Sequence, residues 1–119
     1  MRIQNITRST ELVSSAKEVR GFFGRLVGLI NKKKLAKDEG LVIYRCSAVH
    51  TMWMKYPIDI VFVDSQLRIR KLIRHLKPWS FSPLVMSACI AIELPVETID
   101  RSLTEMGDQL SFSNSKSTT

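Results

Sequence analysis

The fold of this chain is decided by the stretch CSAVHTMWMKYPIDIVFVD, residues 46–64. Pro57 divides it, because proline has no amide proton for a sheet ladder and so marks a break, a bulge or an edge. The apolar run after Pro57, from residue 58 to 63, contains one polar side chain, Asp59. A run of this kind is typical of a strand buried on both faces. We therefore expect it to form the central buried strand of a sheet.

Strand and turn signals continue on both sides of this run. Residues 64–66 have the composition of a turn, and residues 67–76 fit the return strand of a hairpin. The alternation of that strand slips at Arg70 and Lys71, which predicts a bulge. Further short strands are expected at residues 2–7, 11–13, 41–46, 89–94 and 109–112. The pattern predicts a mainly β fold, a compact barrel- or sandwich-like domain of about five to seven short strands.

About one or two short helices are expected beside these strands. Ser15 fits a helix N-cap, with Glu18 in the capping-box position, and apolar residues follow at helical spacing. This predicts a helix that covers the core, with a basic amphipathic helix on a membrane surface as the alternative. A second short helix is expected over residues 97–106. The apolar stripes of the two helices are Val19, Phe22, Phe23, Leu26, Leu29 and Ile30 in the first, and Ile99, Leu103 and Met106 in the second.

The length of 119 residues suits one domain with a single core. We expect that domain at residues 1–112, followed by a disordered tail at residues 113–119. The composition, 45% hydrophobic and 24% charged, is that of a soluble globular protein. Apolar runs fall far short of the ~20 residues of a membrane span, and the first residues lack the apolar core of a secretory signal. A cytoplasmic location is therefore expected.

The net charge of +7 is unevenly distributed along the chain. A basic surface attracts nucleic acid, anionic lipid or acidic proteins, although a solvated face that maintains solubility is the simpler interpretation. Acidic residues gather later in the sequence. The basic segments contain Lys17, Arg20, Arg25, Lys32, Lys33, Lys34 and Lys37 in the first, and Arg68, Arg70, Lys71, Arg74 and Lys77 in the second.

The two cysteines, Cys46 and Cys89, are compatible with one disulfide or with two buried thiols. In a reducing cytosol the free thiols are expected. The chain has no C-x-x-C motif, and two cysteines with two histidines at irregular spacing are a poor zinc set. No metal and no cofactor is expected.

Polar and aromatic side chains cluster around the break in the opening stretch. His50, Trp53 and Lys55 lie within it, and Trp79 lies in a loop that contains two prolines. These four are candidate ligand- or partner-binding residues. A cation can hold an anion, and aromatic rings can line an apolar pocket or stack on bases. Packing in the core or at its rim is the simpler interpretation of the two tryptophans.

A catalytic interpretation has less support in the sequence. Cys46 could serve as a nucleophile beside His50, but no nearby residue visibly lowers its pKa and no nucleophile elbow is present. Asp59 lies in an apolar strand and must be satisfied by a backbone amide, a hydroxyl or Lys55. We therefore interpret Asp59 as a structural polar residue.

Eight short segments occur in an order that resembles a known family. They are RLVGLI (25–30), EGLV (39–42), Cys46 with His50-Thr51, WMK (53–55), PIDIVF (57–62), LKPW (76–79), IELP (92–95) and GDQL (107–110). In this order they resemble the DUF192 family, a prokaryotic family of small uncharacterised proteins. The resemblance spans about residues 11–112. Two family glycines are missing, one in the turn after Asp64 and one at Glu97, which changes turn details only.

The resemblance implies a compact, mainly β domain and brings no established reaction, cofactor or catalytic set. The leading hypothesis is thus a non-enzymatic accessory module that binds a small anionic ligand or a protein at the candidate residues. The first alternative is a thiol-dependent or hydrolytic enzyme that uses Cys46 and His50. The second is binding of nucleic acid or an anionic surface through the basic segments.

Overall fold

Eight strands and one short helix make up the secondary structure of the residues that the computed structural model describes, 1–19, 35–51 and 54–114. The fold is mainly β, as predicted, with one strand more than the upper end of the predicted range. The elements are β1 (Arg2–Asn5), β2 (Thr10–Val13), β3 (Ser15–Val19), β4 (Glu39–Tyr44), β5 (Ile58–Val63), β6 (Ile69–Leu76), β7 (Ile90–Leu94), α1 (Thr98–Arg101) and β8 (Leu110–Ser113).

The strands form two sheets in a sandwich-like arrangement. The larger sheet has the order β3-β4-β7-β5-β6, and the smaller has the order β2-β1-β8. β3 and β4 are parallel, and the other described pairs are antiparallel. Neither sheet closes on itself within the described ranges, so the sandwich-like form fits and the barrel does not.

The apolar run after Pro57 is an interior strand, as predicted. All six residues of β5 are buried. β5 pairs with β6 on one side and with β7 on the other. The central position in the sheet order belongs to β7, whose five residues are also buried. Both strands therefore contribute side chains to cores on both faces of the sheet.

The predicted bulge in the return strand is confirmed. Phe62 pairs with Lys71, but its neighbour Val63 pairs with Ile69, so Arg70 is the extra residue of a bulge. A second irregularity lies near the other end of β6, where His75 has a left-handed backbone with φ 53°. The bulges bend the strand and explain why its alternation slips in the sequence.

Two apolar clusters occupy the two faces of the larger sheet. The first lies between the sheets and includes Ile3 and Leu110 from the smaller sheet and Val61 from β5. The second lies on the outer face and includes Phe62 and Ala91, the neighbours in sequence of first-cluster residues. Since side chains of a strand alternate between faces, one apolar run supplies both clusters.

Two connections cross the outer face of the larger sheet. β4 and β5 are parallel with β7 between them, and β6 and β7 are parallel with β5 between them. The connections 45–57 and 77–89 must therefore each run from one end of the sheet to the other, in opposite directions. They cover the second cluster, to which they contribute Cys46, Val49, Met54 and Ala88.

The predicted helix start at Ser15 is wrong. Ser15–Val19 is strand β3, which pairs in parallel with β4 from Ser15 opposite Glu39 to Val19 opposite Ile43. On its other edge, the amide of Ala16 donates to the carbonyl of Met1 at 2.7 Å. Backbone hydrogen bonds on both edges therefore make this segment a strand, although its local sequence has a helix-capping signal. The rest of the predicted stripe, residues 22–30, lies outside the described residues.

The second predicted helix is much shorter than expected. α1 ends at Arg101, and Leu103 has a left-handed backbone with φ 59°. Of the predicted stripe only Ile99 is buried, whereas Leu103 and Met106 are 63% and 58% exposed. The Ser102 hydroxyl donates to the carbonyl of Thr98 at 2.7 Å, so it caps the helix where the pattern predicted continuation.

The C-terminal strand extends one residue into the predicted tail, because Ser113 belongs to β8. Residues 115–119 lie outside the described part of the chain. Among the described residues, no helix has the length and apolar character needed to cross a membrane.

Candidate binding surface

The two crossing connections are hydrogen-bonded to each other as an antiparallel ribbon. The amide of Ser82 donates to the carbonyl of Val49 at 2.9 Å, and the amide of Val85 donates to the carbonyl of Ser47 at 2.8 Å. The amide of Val49 in turn donates to Oγ of Ser82 at 2.9 Å. We call the described residues 45–51, 54–57 and 77–89 the two-loop surface.

Thr51 is the main junction of this ribbon and is fully buried. Its amide donates to the carbonyl of Ser80 at 2.8 Å. Its hydroxyl accepts from the amide of Ser80 at 2.9 Å and donates to the carbonyl of Lys77. Its carbonyl accepts from the amides of Met54 and Trp79, at 3.1 and 2.9 Å. One residue thus holds both connections in register, a role that the sequence did not indicate.

Three of the four predicted binding residues are brought together by this junction. His50 precedes Thr51 and forms an antiparallel β-bridge with Phe81. The ring centroids of these two residues are 6.1 Å apart. The amide of Trp79 is bound to Thr51, and Lys55 follows Met54, whose amide is bound to the same carbonyl. The fourth, Trp53, lies outside the described residues.

The outward face of the ribbon carries large apolar side chains. Trp79, Phe81, Leu84 and Met86 are 55%, 70%, 62% and 83% exposed. The intervening residues Ser80, Ser82 and Val85 are half-buried, and their backbone amides donate to the other strand of the ribbon. The ribbon already buries an apolar face in the second cluster, so the outward side chains add nothing to that core.

Sequence reasoning singled out Trp79 and missed the three other exposed apolar residues of the ribbon. A usable signal was present, since Trp79-Ser80-Phe81-Ser82 alternates large apolar residues with serine. Such alternation in a loop predicts an extended segment with one polar and one apolar side. Which of the two sides faces solvent depends on how the segment pairs with the other connection, and the sequence of the segment does not contain that information.

The charge of the two-loop surface has one sign. Segments 45–57 and 77–89 contain no aspartate or glutamate. Arg45, Lys55 and Lys77 are exposed, and His50 is half-buried. A surface with cations and no acids in its own segments favours an anionic partner.

Both cysteines are free thiols, as expected from the sequence for a reducing environment. Cys46 packs in the second cluster and Cys89 against the first, although the amide of Cys46 donates to the carbonyl of Cys89. Cys46 is 7% exposed, and its thiol donates to the carbonyl of Ala48 at 3.0 Å. It therefore points into the core rather than towards the outward face of the ribbon.

Asp59 is fully buried in β5 and is held by two backbone amides. Its carboxylate accepts from the amides of His75 and Ile99, each at 3.0 Å. Burial raises the pKa of Asp59 above its ordinary value, and the two amide hydrogen bonds oppose that rise. Backbone amides were among the partners expected from the sequence, and Lys55 is not one of the recorded partners.

Glu93 is a buried acid that sequence reasoning did not select. It is fully buried in β7, opposite Leu41 in β4 and Ile60 in β5. Both of those residues belong to the second cluster, so Glu93 lies on the sheet face that the ribbon covers. The signal was a single carboxyl group inside the apolar segment 89–94.

Two of the five cations of the second basic segment pair with carboxylates. Arg70 pairs with Asp64 at 3.0 Å, and Arg74 pairs with Asp100 at 2.7 Å. Arg68 donates to the carbonyl of Gly107 at 2.9 Å. Most of the first basic segment lies outside the described residues. The described part of the chain therefore offers little support for a continuous anion-binding stripe on these segments.

Metal ligands do not cluster in the described part of the chain, and an open cleft lies away from the two-loop surface. The described residues contain no group of three or more His, Cys, Asp or Glu side chains able to hold a metal ion. An open cleft of about 370 Å³ lies elsewhere, between β3 and the end of β8. Its lining consists of Met1, Ala16, Glu18, Phe112, Ser113 and Asn114.

Comparison with known proteins supports the resemblance found in the sequence. Residues 4–112 match the model of the DUF192 family, described as "Uncharacterized ACR". A curated relative is UPF0127 protein PF1050 of Pyrococcus furiosus, which is 28% identical over 111 residues. That match covers 91% of this chain and 95% of the relative.

Two crystal structures share the fold. One is a protein of unknown function from Novosphingobium aromaticivorans, with a TM-score of 0.74 and 16% identity, covering 93% of this chain and 82% of that chain. The other, from Sinorhizobium meliloti, is described as a candidate transcription regulator. It has a TM-score of 0.75 and 22% identity, covering 92% and 89% of the two chains. At these identities the likeness extends to the fold alone.

Proposed function

The chain belongs to the DUF192 family of uncharacterised proteins, and on that premise we propose that it is a non-enzymatic binding module for an anionic partner. The binding site is the two-loop surface, with His50, Lys55 and Trp79 from the sequence prediction and Phe81 added from the structure. The single observation that carries the proposal is the outward row of large apolar side chains on a ribbon fixed by hydrogen bonds.

Of the seven large apolar side chains that the described residues leave exposed, four lie in this row. Large apolar side chains in water cost free energy relative to burial, about 1.5–3 kcal/mol for each one fully buried on binding. The ribbon cannot turn them inward, because its other face already packs on the second cluster. Concentrated apolar exposure on a fixed backbone is typical of an interaction site.

Charge supports an anionic partner in particular. Lys55 and Lys77 are exposed at the ends of the segments that Thr51 joins, and neither segment contributes an acid. Aromatic rings beside cations bind planar or anionic groups by stacking and by charge. The same composition excludes strongly basic partners, which these lysines would repel.

The geometry does not favour the alternative of a thiol enzyme. A catalytic thiol is expected to be accessible and to have a nearby base or positive charge. The Cys46 side chain is buried, and its thiol donates to the carbonyl oxygen of Ala48. The second alternative, nucleic acid, loses part of its basis because Arg70 and Arg74 pair with acids.

Nuclear magnetic resonance titration of the ¹⁵N-labelled chain tests the proposal. Four probes represent the classes of anion: inorganic phosphate, a short polyglutamate peptide, a short oligothymidylate, and nanodiscs that contain phosphatidylglycerol. At least one probe is expected to shift the amide signals of His50, Thr51, Trp79 and Phe81 more than those of the β1–β2–β8 sheet. If none does so at low salt, the proposal is wrong.

A matched pair of variants sharpens this test. The double variant Lys55→Gln with Lys77→Gln is expected to bind the effective probe with roughly tenfold lower affinity. Arg2→Gln with Arg68→Gln removes the same charge from β1 and from the bridge to Gln109, on the side of the smaller sheet, and is expected to bind as the wild type. Equal losses in both variants would mean that net charge, rather than this surface, attracts the probe.

A further inference from the structure

We infer that the partner of the two-loop surface is the anionic surface of a lipid bilayer, into which the outward row of the ribbon inserts. This inference rests on the proposed function, because it names the class of partner for the same site. The row is Trp79, Phe81, Leu84 and Met86, and the flanking cations are Lys55 and Lys77.

The chemistry of the row fits a lipid interface better than it fits a nucleic acid. Nucleobases stack on aromatic rings, and Trp79 and Phe81 could serve that purpose. Leu84 and Met86 have no ring, yet they are 62% and 83% exposed, at least as much as Trp79. A bilayer accepts aliphatic side chains and rings alike, with tryptophan enriched at the headgroup level.

The shape of the surface also fits a bilayer. Small-molecule sites are concave and bury most of their ligand. The four side chains of the row are instead exposed at the surface, with Phe81 at the β-bridge to His50 and with Trp79 and Met86 in turns. An exposed row can enter a headgroup layer without any change in the ribbon.

The positions of the cations complete the argument. Lys77 lies two residues before Trp79, at the start of the row, and Lys55 lies beyond the junction at Thr51. Their chains are long enough to keep an ammonium group among headgroups while apolar neighbours enter the acyl boundary. Anionic headgroups attract such cations, and a net charge of +7 adds long-range attraction.

Backbone amides at Trp79 and at residues between the members of the row are already hydrogen-bonded. Amides of Trp79, Ser80, Ser82 and Val85 all donate to the facing segment of the ribbon. Because these groups are satisfied within the protein, they need not be left unpaired at the edge of the hydrocarbon. An unpaired loop would incur that cost on entering the interface.

Vesicle sedimentation tests the inference. The full chain is mixed with vesicles of phosphatidylcholine alone, or of phosphatidylcholine and phosphatidylglycerol in equal parts, at low and high salt. We expect it to sediment with the anionic vesicles at low salt and to be released as salt screens the lysines. If the wild-type chain stays in the supernatant with anionic vesicles at low salt, the inference is wrong.

The chain offers a control of matched composition. Leu84→Ser with Met86→Ser removes one leucine and one methionine from the row, and we expect the partition coefficient to fall by at least about tenfold. Leu103→Ser with Met106→Ser removes the same two residue types from positions that are 63% and 58% exposed elsewhere. That control is expected to remain within about twofold of the wild type. Equal losses in both variants would overturn insertion of the row.

Depth of insertion gives a second readout. Phosphatidylcholine and phosphatidylglycerol brominated along the acyl chain quench tryptophan that enters the boundary region. The wild type is expected to be quenched, and Trp79→Phe to lose most of the quenching while it still sediments. Undiminished quenching in Trp79→Phe would show that another residue inserts and would overturn the assignment of the row.

The outcomes separate this inference from the proposed function. If polyglutamate or oligothymidylate shifts the two-loop amides while anionic vesicles and nanodiscs do not, the binding module stands and the lipid inference fails. If no probe and no vesicle binds, both fail. Circular dichroism melting of each variant confirms that the chain remains folded, since the substituted side chains are exposed.

Discussion

The carboxylate of Asp59, inside the larger sheet, lies 3.0 Å from the backbone amide of Ile99 at the start of α1. Its second oxygen accepts from the amide of His75, so one side chain fixes both the helix and the irregular end of β6. Two neighbouring positions, His75 and Glu97, have left-handed backbones with φ 53° and 75°. Asp59 thus stabilises a region where the backbone departs from ideal geometry.

Replacing Asp59 with asparagine should destabilise the protein by about 1–3 kcal/mol. Asparagine retains one acceptor, and its amide group would face the N–H of His75 or Ile99 without a bond. Urea unfolding measures the change in the free energy of unfolding. Asp100→Asn, which removes an exposed partner of Arg74, should have a much smaller effect. Similar losses in both variants would contradict the role given to Asp59.

The pH dependence of stability should reveal Asp108. Burial raises the pKa of Asp108, but hydrogen bonds from Arg8, Asn5 and the amide of Glu105 outweigh it, so its net pKa is below the ordinary value. A lowered folded-state pKa contributes stability above the ordinary pKa of aspartate, and that stability is lost as pH falls through the folded-state pKa.

Asp108→Asn should therefore be less stable than the wild type at neutral pH, with a difference that narrows as the solution is acidified. Unfolding free energies from urea titrations at several pH values measure this. Asp38→Asn removes an exposed carboxylate for which no side-chain hydrogen bond is recorded within the described ranges, and it serves as the control. A constant difference for Asp108→Asn across the acid range would contradict the assignment.

Thr51→Val should weaken the hydrogen bonding between the two connections of the ribbon. Valine keeps the shape of threonine but leaves the amide of Ser80 and the carbonyl of Lys77 without their hydroxyl partner. We expect a loss of about 1–2 kcal/mol and faster hydrogen exchange at the Ser80 amide. Ser87→Ala, at an exposed position of the same connection, should change neither quantity. Unchanged exchange at Ser80 in Thr51→Val would show that the junction is not needed.

Cys46 should react slowly with iodoacetamide in the folded protein. Its thiol is buried and bonded to the carbonyl of Ala48, whereas Cys89 is partly accessible. Mass spectrometry after timed alkylation should therefore find modification first at Cys89, and at both thiols after denaturation. Rapid modification of Cys46 at neutral pH would instead favour the thiol-enzyme alternative.

The parts of the fold that the sequence predicted are those with strong local patterns. The run at residues 58–63 indicated an interior strand because almost every residue in it is apolar. Consecutive side chains of a regular strand point to opposite faces, so two successive cations interrupt the apolar-polar alternation. Arg70 and Lys71 indicated the bulge for this reason. Both signals come from the residue pattern within a single strand, so no knowledge of its neighbours was needed.

The errors come from interactions between distant segments. Ser15 and Glu18 form a sound capping box, but pairing with β4 and Met1 decides their conformation. Leu103 fits a helical stripe, but the helix ends two residues earlier. The roles of Thr51 and Phe81 depend on the pairing of two crossing connections, and no spacing within either segment predicts that pairing.

The crossing connections also affect how the protein reaches its native state. Neither connection is a hairpin, since each joins parallel strands separated by a third. The ribbon joins two segments that the sheet holds side by side, and contacts so distant in sequence form slowly. A synthetic peptide that copies residues 77–89 would therefore lack the shape of the surface it copies. In the cell, a newly made chain would present its apolar row in the native arrangement only once the sheet is complete.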